Sequence, residues 1–173
     1  ISATEKLKTR EQLNYLNVHH PFLLKCFGST RMESNEILIL EYFKGTTLNE
    51  IKDMNLEMKD KIDIILKIII VLDYLHRNKY IYRDLKPNNI MIDDNKAVVL
   101  IDLDRMIKND DKNVENQTAL SSIFISPELA SGFDFSYSTD IYSLGAVIYF
   151  IIYGEHATEM LIEKQLRANS DQK

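Results

Sequence analysis

A single cysteine, Cys26, excludes any internal disulfide, and four scattered histidines offer no zinc-ligand spacing. Cys26 sits near Leu24 in an apolar stretch and reads as a core thiol. The five glycines, Gly28, Gly45, Gly132, Gly145 and Gly154, nowhere fall at the G-x-G-x-x-G spacing of a phosphate-cradling loop. Positive charge is in deficit: 21 Lys and Arg against 26 Asp and Glu leave a net charge of −5. No basic stripe with interleaved aromatics points to nucleic acid. The apolar runs Ile62–Leu75 and Leu144–Tyr153 are too short or too interrupted by charge to span a bilayer. No basic, apolar, small-residue sequence opens the chain, so no secretory signal is evident. A reducing, intracellular (cytoplasmic) compartment is the default expectation, and nothing specifies the oligomeric state. What remains is 173 residues with 45% hydrophobic content, enough for the core of one domain or of a piece of a larger one.

Along the chain, Thr4 to Asn17 has helical spacing, with Leu7, Leu13 and Leu16 as apolar positions. Pro21 disfavours helix at His20 and closes it. Phe22 to Phe27 and Ile37 to Tyr42 read as two strands around the polar turn Thr30–Asn35. Thr47 to Met54 reads as a short helix capped by Thr46 or Thr47. Lys59 to Arg77 is the longest helical stretch, apolar almost all round, which places it in the centre of a domain. Two short strands follow at Ile90–Ile92 and Val98–Ile101, then a long polar loop from Asp104 to Ser122. Tyr142 to Tyr153 reads as a second buried helix, and Lys164 to Lys173 as a frayed tail.

Between the long helix and the strand at 90 lies Tyr-Arg-Asp-Leu-Lys-Pro-Asn-Asn, residues 82–89. Asp84, Lys86 and Asn89 put a carboxylate, an ammonium and an amide in one loop. That set suits a hydroxyl nucleophile, a phosphate and a metal ion, with Asp84 as proton acceptor and Asn89 as magnesium ligand. The competing reading is a polar turn that merely punctuates. Asp102 follows across two short strands, which return the chain to the same end of the sheet. Magnesium prefers oxygen ligands and keeps several waters, so Asn89, Asp102 and the oxygens of a bound phosphate would suit it. An ordinary strand-end carboxylate is the alternative for Asp102.

Together these residues resemble a eukaryotic-type protein kinase of the Ser/Thr type, and the resemblance covers nearly the whole chain. It implies an α+β, bilobal fold, here partial. Residues 1–42 would be the remnant of the small lobe, a regulatory helix plus hinge-side strands. Residues 43–173 would be the first part of a mainly helical large lobe, without its distal helices. Glu11, ten residues before Pro21, falls at the acidic position of the regulatory helix; a solvated helix charge is the alternative. Ile37 to Phe43 resembles the last small-lobe strand entering the hinge. Leu40 then stands at the gatekeeper position, Glu41, Tyr42 and Phe43 face the adenine edge, and Met91 packs beneath the ring. Ser-Pro-Glu at 126–128, ending on Glu128, resembles the close of an activation segment. Ser121, seven residues before Glu128, matches the hydroxyl that Ser/Thr-directed members pair with the loop lysine, here Lys86. Thr118 is a candidate phosphosite, although most loop hydroxyls are unmodified. Arg83 precedes the catalytic aspartate. Asp140, opening the central helix, implies a structural acceptor for the catalytic-loop backbone. His76 reads as packing against an apolar helix end.

The chain departs from the family's pattern in three ways. Residues 102–104 read Asp-Leu-Asp where Asp-Phe-Gly is expected, which removes glycine's access to positive φ and adds the Asp104 carboxylate. No glycine-rich loop is present. No strand is expected before Glu11, and Lys6 and Lys8 fall within the expected helix, so the lysine that grips the α- and β-phosphates is missing. The implied function is an ATP- and magnesium-dependent transfer of the γ-phosphoryl group to Ser or Thr of protein substrates. Two other readings stand beside it: a catalytically impaired pseudokinase acting as a binding or regulatory module, and a small-molecule phosphotransferase, since such relatives often carry Asp-x-Asp at the metal.

Overall fold

The computed structural model describes residues 4–7, 16–32, 35–51, 56–109, 124–126 and 135–154. Two helices dominate. α1 (Met58–Arg77) runs 20 residues without Gly or Pro, with Asp60 in its first turn and His76 and Arg77 in its last, each matched to the helix dipole. It stops at a turn in which Lys79, at φ 63°, donates its N–H to His76 O at 2.9 Å. α2 (Tyr137–Tyr153) begins five residues before the expected Tyr142. Ser136 donates its N–H to Thr139 Oγ1 at 3.2 Å, and this local cap carries the start of the helix outward. At the other end Gly154 adopts φ 84° and returns its N–H to Phe150 O at 2.8 Å.

The helices pack on one another, and Lys61 Nζ donates to Ile152 O at 3.1 Å, meeting a carbonyl that the end of α2 leaves open. Ile64, Ile68, Val71, Leu72 and Leu75 of α1 are buried at helical spacing, each contributing about 1.5–3 kcal/mol. Ile62, Leu66, Ile69 and Ile70 form a second apolar stripe on the opposite side, and it is exposed among the described residues. The expectation of a helix buried all round therefore holds for one face only.

Three small sheets surround this pair. In the first, β1 (Thr4–Leu7), β3 (Asn35–Leu40) and β2 (Cys26–Met32) lie in the order β1-β3-β2, both pairings antiparallel. A register shift between Cys26 and Gly28 marks a bulge, and Gly28 takes φ 148°, a conformation that side-chain-bearing residues rarely adopt. β1 corrects two expectations. Thr4–Leu7 is a strand, not the first turn of a helix, and Lys6 stands opposite Ile37 in the ladder. The second edge of β3 needs hydrogen-bond partners, and pairing across 35 residues overrides helical spacing that rested on three leucines. Leu16 and Asn17 form a single 3-10 turn; residues 8–15 lie outside the described set. The strand expected at 22–27 begins at Cys26, whereas Leu23 makes only an isolated parallel bridge to Leu100.

The second sheet joins β4 (Thr46–Thr47), β6 (Ile90–Ile92) and β7 (Val98–Leu100) in that order. The short helix expected from Thr47 is not formed at its start: Thr47 pairs with Met91 and leads into a turn, with Glu50 N–H donated to Thr47 O at 3.0 Å. Residues 52–55 of that stretch lie outside the described set. The third sheet pairs β5 (Tyr80–Ile81) with β8 (Ile107–Lys108). One apolar cluster runs through all of this, from Leu38 and Leu40 through α1 to Val147 and Ile151 of α2. The result is the expected α+β class. No helix among the described residues is long and apolar enough to cross a membrane.

Candidate phosphotransfer site

The loop after β5 is fixed from below. Tyr82 is buried and donates its hydroxyl to Ile101 O at 2.5 Å, tying the loop to the segment after β7. Arg83 sits at φ 73°, a left-handed geometry that costs a side-chain-bearing residue about 1–2 kcal/mol. Asp140, fully buried on α2, holds it there. Its Oδ1 accepts the Arg83 N–H and its Oδ2 the Tyr82 N–H, both at 2.8 Å. Hydrogen bonds to a charged acceptor contribute about 1.5–3 kcal/mol each, so the pair outweighs the strain. His76 Nε2 lies 2.8 Å from the same Oδ2, so the histidine expected to pack is also a polar partner of Asp140. The Arg83 guanidinium stacks on Phe135, 3.6 Å from the ring centroid.

The chain then turns so that three functional groups meet. Pro87–Asn89 forms a 3-10 turn with Asn89 N–H donated to Lys86 O at 2.9 Å. Asp84 Oδ2 accepts from Lys86 Nζ at 2.8 Å and from Asn89 Nδ2 at 2.9 Å. The same Nδ2 reaches Asp84 O at 2.8 Å. Asn89 is buried, and with its nitrogen turned to Asp84 its amide oxygen is the atom left to meet a cation. The structure thus brings Asp84, Lys86 and Asn89 together as one hydrogen-bonded unit.

Asp102 joins them from the far side of β7. Ile101 donates its N–H to Asn89 O at 3.0 Å, which aligns the two segments. Asp102 adopts φ 55° although no glycine follows at 104. Its carboxyl pKa is raised, first by burial and then by the Asp104 and Asp84 carboxylates, with Lys86 opposing. A carboxylate pushed up by neighbouring negative charge is where a divalent cation would be favoured. Among the described residues no three His, Cys, Asp or Glu side chains close on one point, and Asn89 with Asp102 could supply only part of a ligand set. That fits magnesium, which takes one or two carboxylates and completes its shell with substrate phosphates and water.

Arg105 was not singled out from the sequence. Its Nε lies 4.0 Å from Asp84 Oδ2. The only local signal was its place directly after Asp-Leu-Asp.

The hinge-side residues line the segment between β3 and β4. Leu40 is buried, Phe43 half-buried, Glu41 and Tyr42 exposed. Glu41 N–H is donated to Lys25 O at 2.8 Å, so of its backbone groups the carbonyl remains for a ligand. Met91 is half-buried on β6. Glu11, Thr118, Ser121 and Glu128 lie outside the described residues. Ser126 is buried, and nearby Ser143 Oγ donates to Phe124 O at 2.6 Å. A cavity of about 500 Å³ lined by His19, His20 and Glu41 lies behind the hinge and includes none of the catalytic-loop residues.

The family model that matches the chain is that of the protein kinase domain, over residues 2–173. The serine/threonine-protein kinase PknB of Mycobacterium leprae (strain TN) is 32% identical over 155 residues, which is 84% of this chain and 25% of that protein. A probable serine/threonine-protein kinase KIN1 homolog of Encephalitozoon cuniculi (strain GB-M1) is 34% identical over 140 residues, 79% of this chain and 25% of that protein. An Aurora kinase of Saccharomyces cerevisiae (strain ATCC 204508 / S288c) is 27% identical over 152 residues, 87% of this chain and 41% of that protein. The chain spans about a quarter of the length of the first two of these relatives.

Proposed function

Because the chain belongs to the protein kinase domain family, we propose that it carries the phosphotransfer core of a protein serine/threonine kinase that moves the γ-phosphoryl group of ATP to Ser or Thr hydroxyls. The observation that carries this reading is the grip of Lys86 and Asn89 on one oxygen of Asp84, 2.8 and 2.9 Å away. A carboxylate so held is oriented to accept the acceptor's hydroxyl proton. Lys86 then lies where charge on the transferring group needs neutralising. Asn89 and Asp102 would hold magnesium, which when bound supplies charge neutralisation of the phosphate oxygens. Leu40, the backbone of residues 41–43 and Met91 would receive the adenine. Residues 1–42 serve in this reading as small-lobe remnant and 43–173 as large lobe. Ser/Thr choice is supported by Lys86 and Ser121 and by the names of the similar proteins. Asp104, one of the two carboxylates that raise Asp102, favours a second reading, an impaired kinase that acts as a binding module.

In the full-length protein, Asp84→Asn is expected to lower turnover far more than nucleotide affinity. Asp102→Asn is expected to weaken magnesium-dependent ATP binding instead. Negligible effects from both in a phosphotransfer assay overturn the enzyme reading, and magnesium-ATP binding without transfer by the wild type supports the binding module. Phosphotyrosine as the sole product on a mixed peptide library overturns the Ser/Thr assignment.

A further inference from the structure

The antiparallel register of β5 and β8 sets Tyr80 opposite Lys108 and Ile81 opposite Ile107. The ladder ends there, and beyond it Arg105 Nε lies 4.0 Å from Asp84 Oδ2. The approach on the 104–105 side is a tight turn, with Met106 N–H donated to Leu103 O at 3.0 Å and both of those side chains buried. Arg105 is therefore held on an anchored turn beside the Asp84 carboxylate.

Its contact there is unlike that of Lys86. Lys86 Nζ is 2.8 Å from Asp84 Oδ2, whereas Arg105 Nε is 4.0 Å away, beyond hydrogen-bond distance. The Arg105 side chain is 45% exposed while that of Asp84 is 13% exposed. A half-exposed pair at that separation contributes little to stability. The cation lies instead at the edge of the site, with a planar fork of donors that Asp84 does not take up. Charge gives the second argument. Asp104 and Asp84 both lie close enough to act on Asp102, with Lys86 opposing. A triphosphate entering three carboxylates and one ammonium meets an excess of negative charge, and Arg105 offsets what Asp104 adds. Guanidinium geometry matches phosphoryl oxygens two at a time, which an ammonium cannot do.

We propose that Arg105 is a catalytic residue, whose guanidinium hydrogen-bonds the oxygens of the transferring phosphoryl group in the transition state from its place beside Asp84. The inference rests on the kinase reading above. The acceptor oxygen forms its bond to the γ-phosphorus as the bond from that phosphorus to the β,γ-bridging oxygen breaks. The bridging oxygen keeps the electron pair and leaves with ADP, and the acceptor proton passes to Asp84. Arg105 donates hydrogen bonds and exchanges no proton. An arginine placed in cis in this way accelerates phosphoryl transfer in other nucleotide enzymes.

The test compares full-length wild type, Arg105→Ala and Arg105→Lys by titration calorimetry with magnesium-ADP alone and with magnesium-ADP plus aluminium fluoride, a mimic of the transferring group. Arg105→Ala is expected to weaken the fluoroaluminate complex about 100-fold, the scale of losing one preorganised donor. Affinity for magnesium-ADP should stay within about threefold, and kcat should fall with KM for ATP nearly unchanged. Arg105→Lys should recover part of the loss. Wild type that binds the fluoroaluminate complex, with Arg105→Ala binding it equally well, overturns this inference alone. A rise in kcat on Arg105→Ala overturns it too, because the arginine would then restrain the base. Wild type that binds no fluoroaluminate complex overturns the kinase reading and this inference with it.

Discussion

The Asp140 carboxylate accepts the backbone N–H of Arg83 at 2.8 Å, and through that bond α2 holds the residue next to Asp84 in a left-handed backbone conformation. The separation in sequence is 57 residues, so the backbone geometry of the loop is set by a distant helix.

Replacing Asp140 therefore tests how the loop is built. Asp140→Ala leaves the Tyr82 and Arg83 N–H groups without their acceptor, and each orphaned buried donor costs about 1–3 kcal/mol. The full-length protein should lose several degrees of Tm, and kcat should fall because Arg83 is released from φ 73°. Asp140→Asn keeps one acceptor oxygen and should lose less on both measures. Thermal unfolding and steady-state kinetics on the two variants check this, and unchanged kcat in Asp140→Ala overturns the positioning role.

Asp102 gives a pH prediction of definite sign. Its folded pKa lies above the ordinary 3.8, because burial, Asp104 and Asp84 disfavour the ionised form. The folded state then binds its proton more tightly than the unfolded chain does. Stability is lost as pH rises from the unfolded pKa through the folded one. With magnesium chelated, Asp102→Asn should raise Tm at neutral pH, and the gain should vanish below about pH 3.8. Adding magnesium should raise the Tm of wild type but not of Asp102→Asn. A variant that is less stable than wild type at pH 7 in chelator contradicts this.

Gly45 marks the closest approach of the hinge segment to the sheet below it. A Cβ there would meet Ile92 O and a Phe43 ring carbon, each at 2.6 Å. The carbonyl belongs to backbone paired with Thr46 and cannot swing aside. Gly45→Ala should cost about 1–3 kcal/mol from overpacking. It should also weaken nucleotide binding, since Phe43 must move. Denaturant titration and magnesium-ADP affinity measure the two effects, and a neutral substitution on both shows that the segment is free to shift.

The local features of the site were legible in the sequence, and two non-local ones, Asp102 beside Asp84 and the Asp140 acceptor for the loop backbone, were legible through the family resemblance, whereas β1 and Arg105 were not. α1 announces itself by 20 residues without Gly or Pro, and Asp84, Lys86 and Asn89 belong to one loop whose turn chemistry is self-contained. β1 carries helical spacing in the sequence, and the residues it pairs with, Ile39, Leu38, Ile37 and Glu36, lie in no window around Thr4. Thr47 was assigned to a helix for the same reason, since Met91 decides its pairing. Arg105 acquires meaning only from its approach to Asp84, 21 residues away in sequence, with Nε 4.0 Å from Oδ2. The open face of α1 was hidden by composition: an all-round apolar helix looks central, and only packing shows which stripe is covered.

That open stripe leads to the last prediction, which concerns these 173 residues expressed alone. Leu66 and Ile70 are 50% and 49% exposed, Ile62 is 49% exposed, and together they line the face of α1 opposite the packed one. A contiguous apolar stripe of this kind drives association in water. Among the described residues no strand pairs with the outer edges of β1 and β2, and open edges of this kind recruit further strands. Phosphoryl transfer draws most of its acceleration from positioning and charge, and these residues contain no glycine-rich phosphate cradle. The isolated chain should therefore self-associate and phosphorylate nothing at a useful rate. Leu66→Lys with Ile70→Glu should shift it toward monomer in analytical ultracentrifugation without restoring activity, because the stripe lies away from Asp84. A purified monomer with magnesium-dependent activity that Asp84→Asn abolishes would show that the loop cluster works without a phosphate cradle.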